Sequence, residues 1–559
     1  MFIKLQKSPT STRVQVHLIE GYRDAHGRSR QRIIKNYGEL SCLQANEPDV
    51  LDRLRKEAKV QTDEKKQAKV VIEVDTLRFR KTDEHSLNYG YFALEGIYRK
   101  LQIPEFLRRR SKSMHAHYNL DHIMRLLVFS RVITPCSKMA TFKAKGSLFG
   151  DFECEPHDIY RALDIFDHLS YDLQLHLHKR ITRLYGRDAL LVFYDVTNYY
   201  FECDKADELR KKGASKEHRQ DPIVQMGLLV DTKGIPICYS LFAGNTHDAK
   251  TLAPVLYELK TRYSLSRIVV VADKGINSSS NLSELLINND GYIVSQKLRG
   301  KVDPHLQHMC LSSQDYRSNE QKDFAIKSFV RTRKLGSQKE IQEKVVIYWS
   351  KESAVRDAYK RDDLLPAVHD LINHPYKYEA KSDYGRLRYI KETLVAPSGE
   401  MAGKKLSFDE QRYENDLSFD GYQCIISSEI DMDDLEIVKS YRELSLIEDS
   451  FRAIKSDLLG RPVFVWSKEH INAHFLVCFI ALCLMRIIQF KMGYALSTSA
   501  LAKAIKSAKC TPLEKSLYVI DETDDVYKQV ENTFGVSLPN RYVGVEKIKA
   551  YRRAFAQNS

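Results

Sequence analysis

The chain has 559 residues, too many for one ordinary hydrophobic core, so we expect two to four domains. Hydrophobic residues make up 43% and charged residues 29%, which is typical of a globular, soluble protein. The net charge of +13 favours a polyanionic partner, most often nucleic acid, although a merely basic protein gives the same total.

Ten cysteines are scattered from Cys42 to Cys510 without a CxxC pair. This argues against a zinc ribbon and a disulfide scaffold, and it predicts a reducing, cytoplasmic location. Neither GxxxxGK[ST] nor GxGxxG occurs, so a nucleotide cofactor is unsupported. The most apolar stretch, residues 475–485, is too short to span a bilayer and ends at Arg486. We therefore predict a buried core helix there and no membrane partner.

The first half of the chain predicts a small β unit followed by helices. Residues 1–45 are basic and hold two strand-like runs around the turn-rich sequence AHGRS. Contact with DNA and a solvated basic face are about equally good interpretations of this unit. Residues 46–185 predict a helical region, because from residue 87 apolar residues recur at intervals of three and four. We expect this region to bind DNA, because its helices are basic.

Two histidine pairs are close enough in sequence to be candidate metal ligands. His115 and His117 lie two apart, and His470 and His474 lie four apart. Neither pair has a third ligand at a suitable spacing, which a zinc site needs. We expect the first pair at the surface, and the second in packing or phosphate contact.

The second half predicts a mixed sheet. Residues 186–300 follow the order β-β-β-α-β-α-β, which indicates a mixed α/β fold. Residues 301–418 interrupt this core as an insertion, and residues 419–490 complete it. Residues 491–559 predict a C-terminal helical region.

Three carboxylates stand out in this core. Two apolar runs, ALLVFYD and RIVVVAD, predict buried strands that end at Asp195 and Asp273. The stretch YRELSLIEDSFRAIK, taken as one helix, places four side chains on one stripe: Tyr441, Glu448, Arg452 and Lys455. Each acid alone is more often a cap or a salt-bridging residue. Together, carboxylates that converge from rigid elements are what two divalent cations need for phosphodiester chemistry.

These motifs resemble those of bacterial insertion-sequence DDE transposases, in the group with the signature Y-x2-R-x3-E-x6-K. Tyr441, Glu448 and Lys455 stand at the matching spacings, whereas Leu444 replaces the arginine. Arg442 and Arg452 are nearby candidates for the lost phosphate contact. YDVTNYYFE carries the first aspartate, ADKGINSSSNL the second, and GNTHD also resembles the family.

The resemblance implies an RNase-H-like catalytic core with a β-rich insertion, flanked by helical regions. It also implies metal-dependent cutting at transposon ends, after which the freed 3′-OH attacks target DNA. Asp195, Asp273 and Glu448 are then the catalytic ligands of Mg²⁺ or Mn²⁺, with two ions expected. The implied partners are double-stranded DNA and a second copy of the chain, in a homodimer or a higher assembly.

The residues expected near the DNA are Tyr441, Arg442, Arg452, Lys455 and Trp349. Trp349 is the only tryptophan in the insertion and could stack on a flipped base, with a buried core position as the alternative. Two other functions stay open: an RNase-H-like nuclease, which would not join a 3′-OH to target DNA, and a catalytically silent DNA-binding protein of transposase descent.

Overall fold

A computed structural model describes residues 1–7, 13–23, 29–68, 86–114, 116–213, 220–263, 265, 267–300, 302–335, 339–378, 385–395, 403–513 and 516–559. The chain divides into two compact units, Met1–Glu84 and His85–Ser559. His115 and most of the AHGRS turn lie outside the described residues, and His117 is exposed as predicted.

The first unit is a three-stranded antiparallel sheet with two helices. Its elements are β1 (Phe2–Lys7), β2 (Val14–Arg23), β3 (Ser29–Glu39), α1 (Leu40–Asn46) and α2 (Val50–Ala68). β2 lies between the other two strands, and Val16 packs against Val50 and Leu54 of α2. The sequence pattern missed β1, because nearly all of its side chains are exposed and none marks a buried face.

The second unit begins with helices, as the periodicity predicts. After the short β4 (Leu87–Asn88) come α3 (Phe92–Lys100), α4 (Ile103–Ser113), α5 (Leu120–Ile133), α6 (Lys138–Lys143) and α7 (Pro156–Tyr185). α7 has proline at its first position, a capping box between Glu155 and Asp158, and Gly186 in the left-handed conformation at its end.

A nine-stranded mixed sheet follows. Its first part contains β5 (Leu191–Tyr200), β6 (Ile223–Asp231), β7 (Pro236–Ala243), α8 (Leu252–Tyr263), β8 (Val269–Ala272), α9 (Ser279–Ile287) and β9 (Gly291–Gln296). This is the predicted order β-β-β-α-β-α-β. The strands lie side by side as β7-β6-β5-β8-β9, with β5, β8 and β9 parallel and β6 antiparallel to both of its neighbours.

The insertion extends the same sheet. It contains α10 (Pro304–Leu311), β10 (Arg317–Ser318), β11 (Phe324–Leu335), β12 (Lys339–Ser350), α11 (Lys351–Asp362), α12 (Leu365–Asn373), β13 (Ile390–Val395), β14 (Gly403–Phe408) and α13 (Glu410–Ser418). Next in the chain comes β15 (Tyr422–Ser427), which pairs with β9. In the sheet, β12, β11 and β10 then lie beyond β15 in that order, with β10 at the edge. The predicted mixed α/β class, an RNase-H-like core with a β-rich insertion, is confirmed.

The chain ends in helices and a second small sheet. The elements are α14 (Asp434–Arg442), α15 (Ser445–Arg452), α16 (Lys468–Lys491), α17 (Thr498–Ser507), β16 (Lys509–Pro512), β17 (Leu517–Ile520), α18 (Asp525–Thr533), β18 (Tyr542–Gly544) and α19 (Val545–Asn558). β4 joins β16, β17 and β18 in one sheet. The sequence did not predict these strands, because each has at most four residues and shows no period.

The apolar stretch 475–485 lies inside α16. By length and composition this helix could cross a bilayer, since its mean hydropathy reaches 2.1, but 94% of that window is buried inside the protein. α16 packs against α3, α5 and α7. It is therefore the central core helix, as predicted.

Candidate active site

Asp195 lies in the middle of its strand. β5 pairs with β8 only through Leu191, Val192 and Phe193, and it continues beside β6 as far as Tyr200. The prediction that Asp195 ends its strand is therefore wrong. The apolar run stops at this residue, but the polar sequence that follows keeps its pairing with β6. Asp195 lies just past the last residue paired with β8.

Asp273 directly follows β8, as predicted, and the two strands are neighbours. Leu191 pairs with Val269 and Phe193 with Val271. Continuing this register by two residues places Asp195 opposite Asp273, on strands spaced about 4.8 Å apart. The two aspartates thus belong to one row at the end of the parallel pairing.

The same row faces the core beneath the C-terminal helices. Phe193 and Val271 are both buried in the large core that contains α16. Side chains two residues apart on a strand point to the same face. Asp195 and Asp273 are therefore directed to the side of the sheet that α14 and α15 cover.

Asp273 accepts two hydrogen bonds at one oxygen. The Ser295 hydroxyl on β9 donates to Asp273 Oδ1 from 2.8 Å, and the Tyr441 hydroxyl on α14 donates from 3.3 Å. Burial raises the pKa of Tyr441 well above its usual value, so this hydroxyl stays protonated and can donate. Ser295 was not predicted; the available signal was a polar residue near the end of the apolar run GYIVSQ.

Residues 441–455 do not form one helix. α14 ends at Arg442, and a turn follows in which the Leu446 amide bonds to the Glu443 carbonyl at 2.9 Å. After α15, the chain widens into a π-helical turn over Ala453–Asp457. α14 packs against β8 and β9, whereas α15 packs against β5 and β6. A single straight helix could not follow the twisted sheet across these four strands, so the predicted common stripe is wrong.

Glu448 lies on the exposed side of α15. Ile447 and Phe451 on the same helix are buried in the core that also contains Phe193. Within the described parts of the chain, no three His, Cys, Asp or Glu side chains are grouped closely enough to hold one metal ion. The structure thus aligns the two aspartates and places Glu448 on the helix over β5, without gathering the three carboxylates at one point.

The cations after Glu448 take different positions. Arg452 pairs with Asp449 at 2.5 Å on the exposed side of α15. The Lys455 ammonium lies 5.8 Å from the ring centre of Tyr199, near the end of β5. Lys455 is therefore beside the strand of Asp195, whereas Arg452 is held by its own helix.

Arg442 and Leu444 explain the departure from the arginine signature. The Arg442 guanidinium lies 5.7 Å from the Phe324 ring centre and 5.3 Å from that of Tyr348, both on insertion strands. Leu444 is 7% exposed and belongs to the main core. An apolar residue therefore suits position 444, and Arg442 binds the insertion.

Trp349 is half-buried, and its indole Nε1 donates to the Asp420 carbonyl at 3.1 Å. A Cβ on Gly421 would lie 2.7 Å from this Nε1, so the indole packs tightly against the backbone. These contacts favour the structural interpretation of Trp349.

The two C-terminal histidines are engaged in packing. Buried His474 lies 3.3 Å from the Lys138 ammonium and 3.2 Å from the Gly460 carbonyl. His470 lies 3.0 Å from an Asp164 oxygen. Packing, one of the two roles expected for this pair, accounts for His474.

A groove of about 1050 Å³ opens beside Asp273 and Tyr441 and continues between β15 and α13 of the insertion. Among the residues that the structure describes, five cations line it: Lys274, Lys297, Arg299, Arg388 and Arg412. Arg299 pairs with Asp420 at 2.9 Å and Arg388 with Asp416 at 2.5 Å. The groove carries cations next to Asp273, and this arrangement suits a polyanion.

Lys274 and Lys297 are exposed, and neither pairs with an acid among the residues that the structure describes. Their ammonium groups are available to phosphate. Asp195, Asp273 and Glu448 supply only hard oxygen donors, and Asp273 is exposed at the groove. This donor chemistry fits Mg²⁺ or Mn²⁺.

Residues 195–484 match the model of the transposase DDE domain. The match starts at Asp195, includes Asp273 and Glu448, and spans more than half of the chain. A search among curated proteins returned no match. Among solved structures, the chain is similar to the cryo-EM structure of a piggyBac transposase synaptic complex with hairpin DNA, at 8% identity and a TM-score of 0.36, over 79% of this chain and 76% of that chain. From the family match, the chain belongs to the DDE transposases.

Proposed function

We propose that this DDE transposase binds the ends of an insertion sequence, hydrolyses a phosphodiester bond there and joins the freed 3′-OH to target DNA. We also propose that the protein belongs to the bacterial Y-R-E-K group and acts in the cytoplasm. It would assemble as a homodimer or a larger complex on paired DNA ends. The single observation that carries the proposal is the row of Asp195 and Asp273 in one strand register, beside a groove lined with cations.

Asp195, Asp273 and Glu448 are the residues that would hold two divalent ions. When bound, such ions stabilise the charge that develops on the oxygens around phosphorus. Ser295 and Tyr441 orient the Asp273 carboxylate by donating to its Oδ1. Lys274 and Lys297 bind backbone phosphates in the groove and so position the strand to be cut.

The test uses the full chain with a labelled duplex that carries the transposon end found beside its own gene. Supercoiled target DNA is added, and Mg²⁺ or Mn²⁺ is compared with a chelator. We expect metal-dependent nicking at the end, followed by a joined product. Asp195→Asn, Asp273→Asn and Glu448→Gln should each reduce cleavage at least a hundredfold and leave DNA binding intact, because each removes a charged oxygen ligand.

Asp431→Asn and Glu436→Gln are the matched controls. Both acids are exposed and line a pocket with Leu190 and Val269, at the opposite end of the parallel strands. Cleavage retained by any of the three active-site variants would remove that residue from the site. Cleavage without joining of a precut 3′-OH end would point to a nuclease, and metal-independent binding without cleavage to a silent DNA-binding protein.

A further inference from the structure

The segment just after the Glu448 region exposes an unusual amount of apolar surface. Leu459 is 46% exposed, Phe464 56% and Trp466 52%. All three lie within eight residues, between the π-helical turn and α16. Large apolar side chains that cluster on a surface mark an interaction site more often than chance would give. Phe464 and Trp466 form what we call the aromatic segment.

The aromatic segment is attached to the far end of β5. The Val463 amide donates to the Tyr200 carbonyl at 3.4 Å, and the Arg461 guanidinium lies 5.7 Å from the Tyr200 ring centre. Phe201 follows six residues after Asp195, which is about 20 Å of extended strand. That length corresponds to about six nucleotide steps of duplex DNA. The segment therefore lies within reach of a strand that is bound at Asp195.

Positive charge lies beside Trp466 and beside the aromatic residues at the end of β5. The Arg210 guanidinium lies 5.5 Å from the Trp466 ring centre and 5.6 Å from that of Phe201. Arg461 and Lys455 lie over the next aromatic rings along β5. Asp207 pairs with Arg210 at 2.7 Å. Phe201 and Tyr199 are buried, whereas Trp466 is 52% exposed and has the Arg210 guanidinium beside it. An exposed ring beside a cation can bind a nucleobase and backbone phosphate together.

We propose that Trp466, supported by Phe464, stacks on an unpaired nucleobase of the DNA strand that binds at Asp195. This inference rests on the proposed function and deepens it, since it names a base-binding site outside the insertion. Trp349 is tied to the Asp420 carbonyl, whereas the Trp466 ring is open on one side.

The chain contains only two tryptophans, which makes the proposal directly measurable. Trp349→Phe leaves Trp466 as the sole indole, and Trp466→Phe leaves Trp349. Each full-length variant is titrated with a single-stranded 20-mer, a duplex carrying a three-nucleotide 3′ overhang and a blunt duplex. We expect the 20-mer and the overhang duplex to quench Trp466 fluorescence, and no DNA to quench Trp349.

A second measurement covers the case in which a variant is destabilised. Trp466→Ala should bind the overhang duplex roughly tenfold more weakly than the parent, because base–aromatic stacking is lost, while Trp466→Phe keeps most of the affinity. Tyr359→Ala, which removes a ring 73% exposed on α11, is the matched control and should bind as the parent does.

The possible outcomes distinguish a failure of this inference from a failure of the proposed function. DNA binding seen by anisotropy without Trp466 quenching would overturn the inference alone. Quenching that follows protein concentration instead of DNA, with a matching change in sedimentation, would assign the aromatic segment to contact between copies and overturn the inference. Absence of any DNA binding would overturn both proposals.

Discussion

At the scale of single residues, the orientation of the Asp273 carboxylate depends on the hydrogen bonds that its Oδ1 atom accepts. Asp273 Oδ1 accepts from Ser295 on β9 and from Tyr441 on α14, so three separate elements fix its carboxylate. Hydrogen bonds to a charged acceptor contribute roughly 1.5–3 kcal/mol each, more than bonds between neutral groups. We therefore treat Tyr441 as a positioning residue for Asp273.

Tyr441→Phe tests this role. The change removes one donor to Asp273 and leaves the ring in place, so we expect end cleavage to slow about tenfold with DNA affinity unchanged. Tyr359→Phe, on an exposed tyrosine, is the control and should cleave at the parental rate. Single-turnover cleavage of a labelled end measures both. An equal loss of DNA affinity in Tyr441→Phe would instead make Tyr441 a DNA contact.

The position of Asp273 directly after β8 could be predicted from the sequence, because a buried strand that ends in an acid is a local pattern, whereas Asp195 lies inside β5, whose pairing with β6 continues to Tyr200. Ser295 could not be predicted, since its importance depends on which strand lies beside β8. The exposure of Trp466 was also hidden, because sequence does not show that the segment before α16 leaves its rings uncovered. Trp349 is a candidate for base stacking only through its place in the insertion, and its contact with the Asp420 carbonyl could be seen only in the fold.

At the scale of elements, the turn at residues 458–460, after the π-helical segment, is anchored by side chains of α5 and α16. Arg131 on α5 donates to the Leu458 and Leu459 carbonyls at 3.5 and 3.4 Å. His474 on α16 lies 3.2 Å from the Gly460 carbonyl. These side chains satisfy carbonyls that the end of a helix leaves without partners. The bend between α14 and α15, at residues 443–444, could not be predicted from the sequence, because it follows from the twist of the sheet on which the two helices pack.

Lys138 is the charged neighbour of this anchor. Burial, together with Arg131, lowers the pKa of Lys138 to about 7, and its ammonium lies 3.3 Å from His474 Nδ1. An unfolded lysine keeps its proton up to about pH 10. Between pH 7 and pH 10 the unfolded chain therefore binds more protons than the folded one, and stability rises with pH across this window.

Lys138→Met should remove that rise. We expect the variant to be more stable than the parent at pH 7 and to lose a pH-dependent contribution on the order of 3 kcal/mol between pH 7 and pH 10. Urea unfolding at pH 7 and pH 9.5 measures the difference, with Lys112→Met, an exposed lysine on α4, as control. The same pH dependence in Lys138→Met and the parent would show that Lys138 does not titrate in this window.

At the scale of the whole catalytic unit, charge is divided between the two ends of the parallel strands. The groove beside Asp273 carries five cations. The pocket at the opposite end, beside Leu190 and Val269, carries the acids Asp188, Glu429, Asp431, Glu436 and Glu443. Total composition predicted a polyanionic partner, but only the fold assigns the positive charge to one end of the sheet. We therefore expect DNA to be attracted to the end of the sheet that holds the aspartates.

This separation predicts how DNA binding responds to salt. Each lysine that neutralises a phosphate contributes about 0.9 to the slope of log K against log salt concentration, through counterion release. Lys274→Ala and Lys297→Ala should each lower that slope by about 0.9, and the double variant by about 1.8. Lys439→Ala removes an exposed lysine from the acidic end and should leave the slope unchanged. Fluorescence anisotropy with one duplex between 50 and 200 mM salt measures all four variants. Equal slopes in all of them would place the DNA away from the groove, and a loss confined to Lys439→Ala would move it to the opposite end of the sheet.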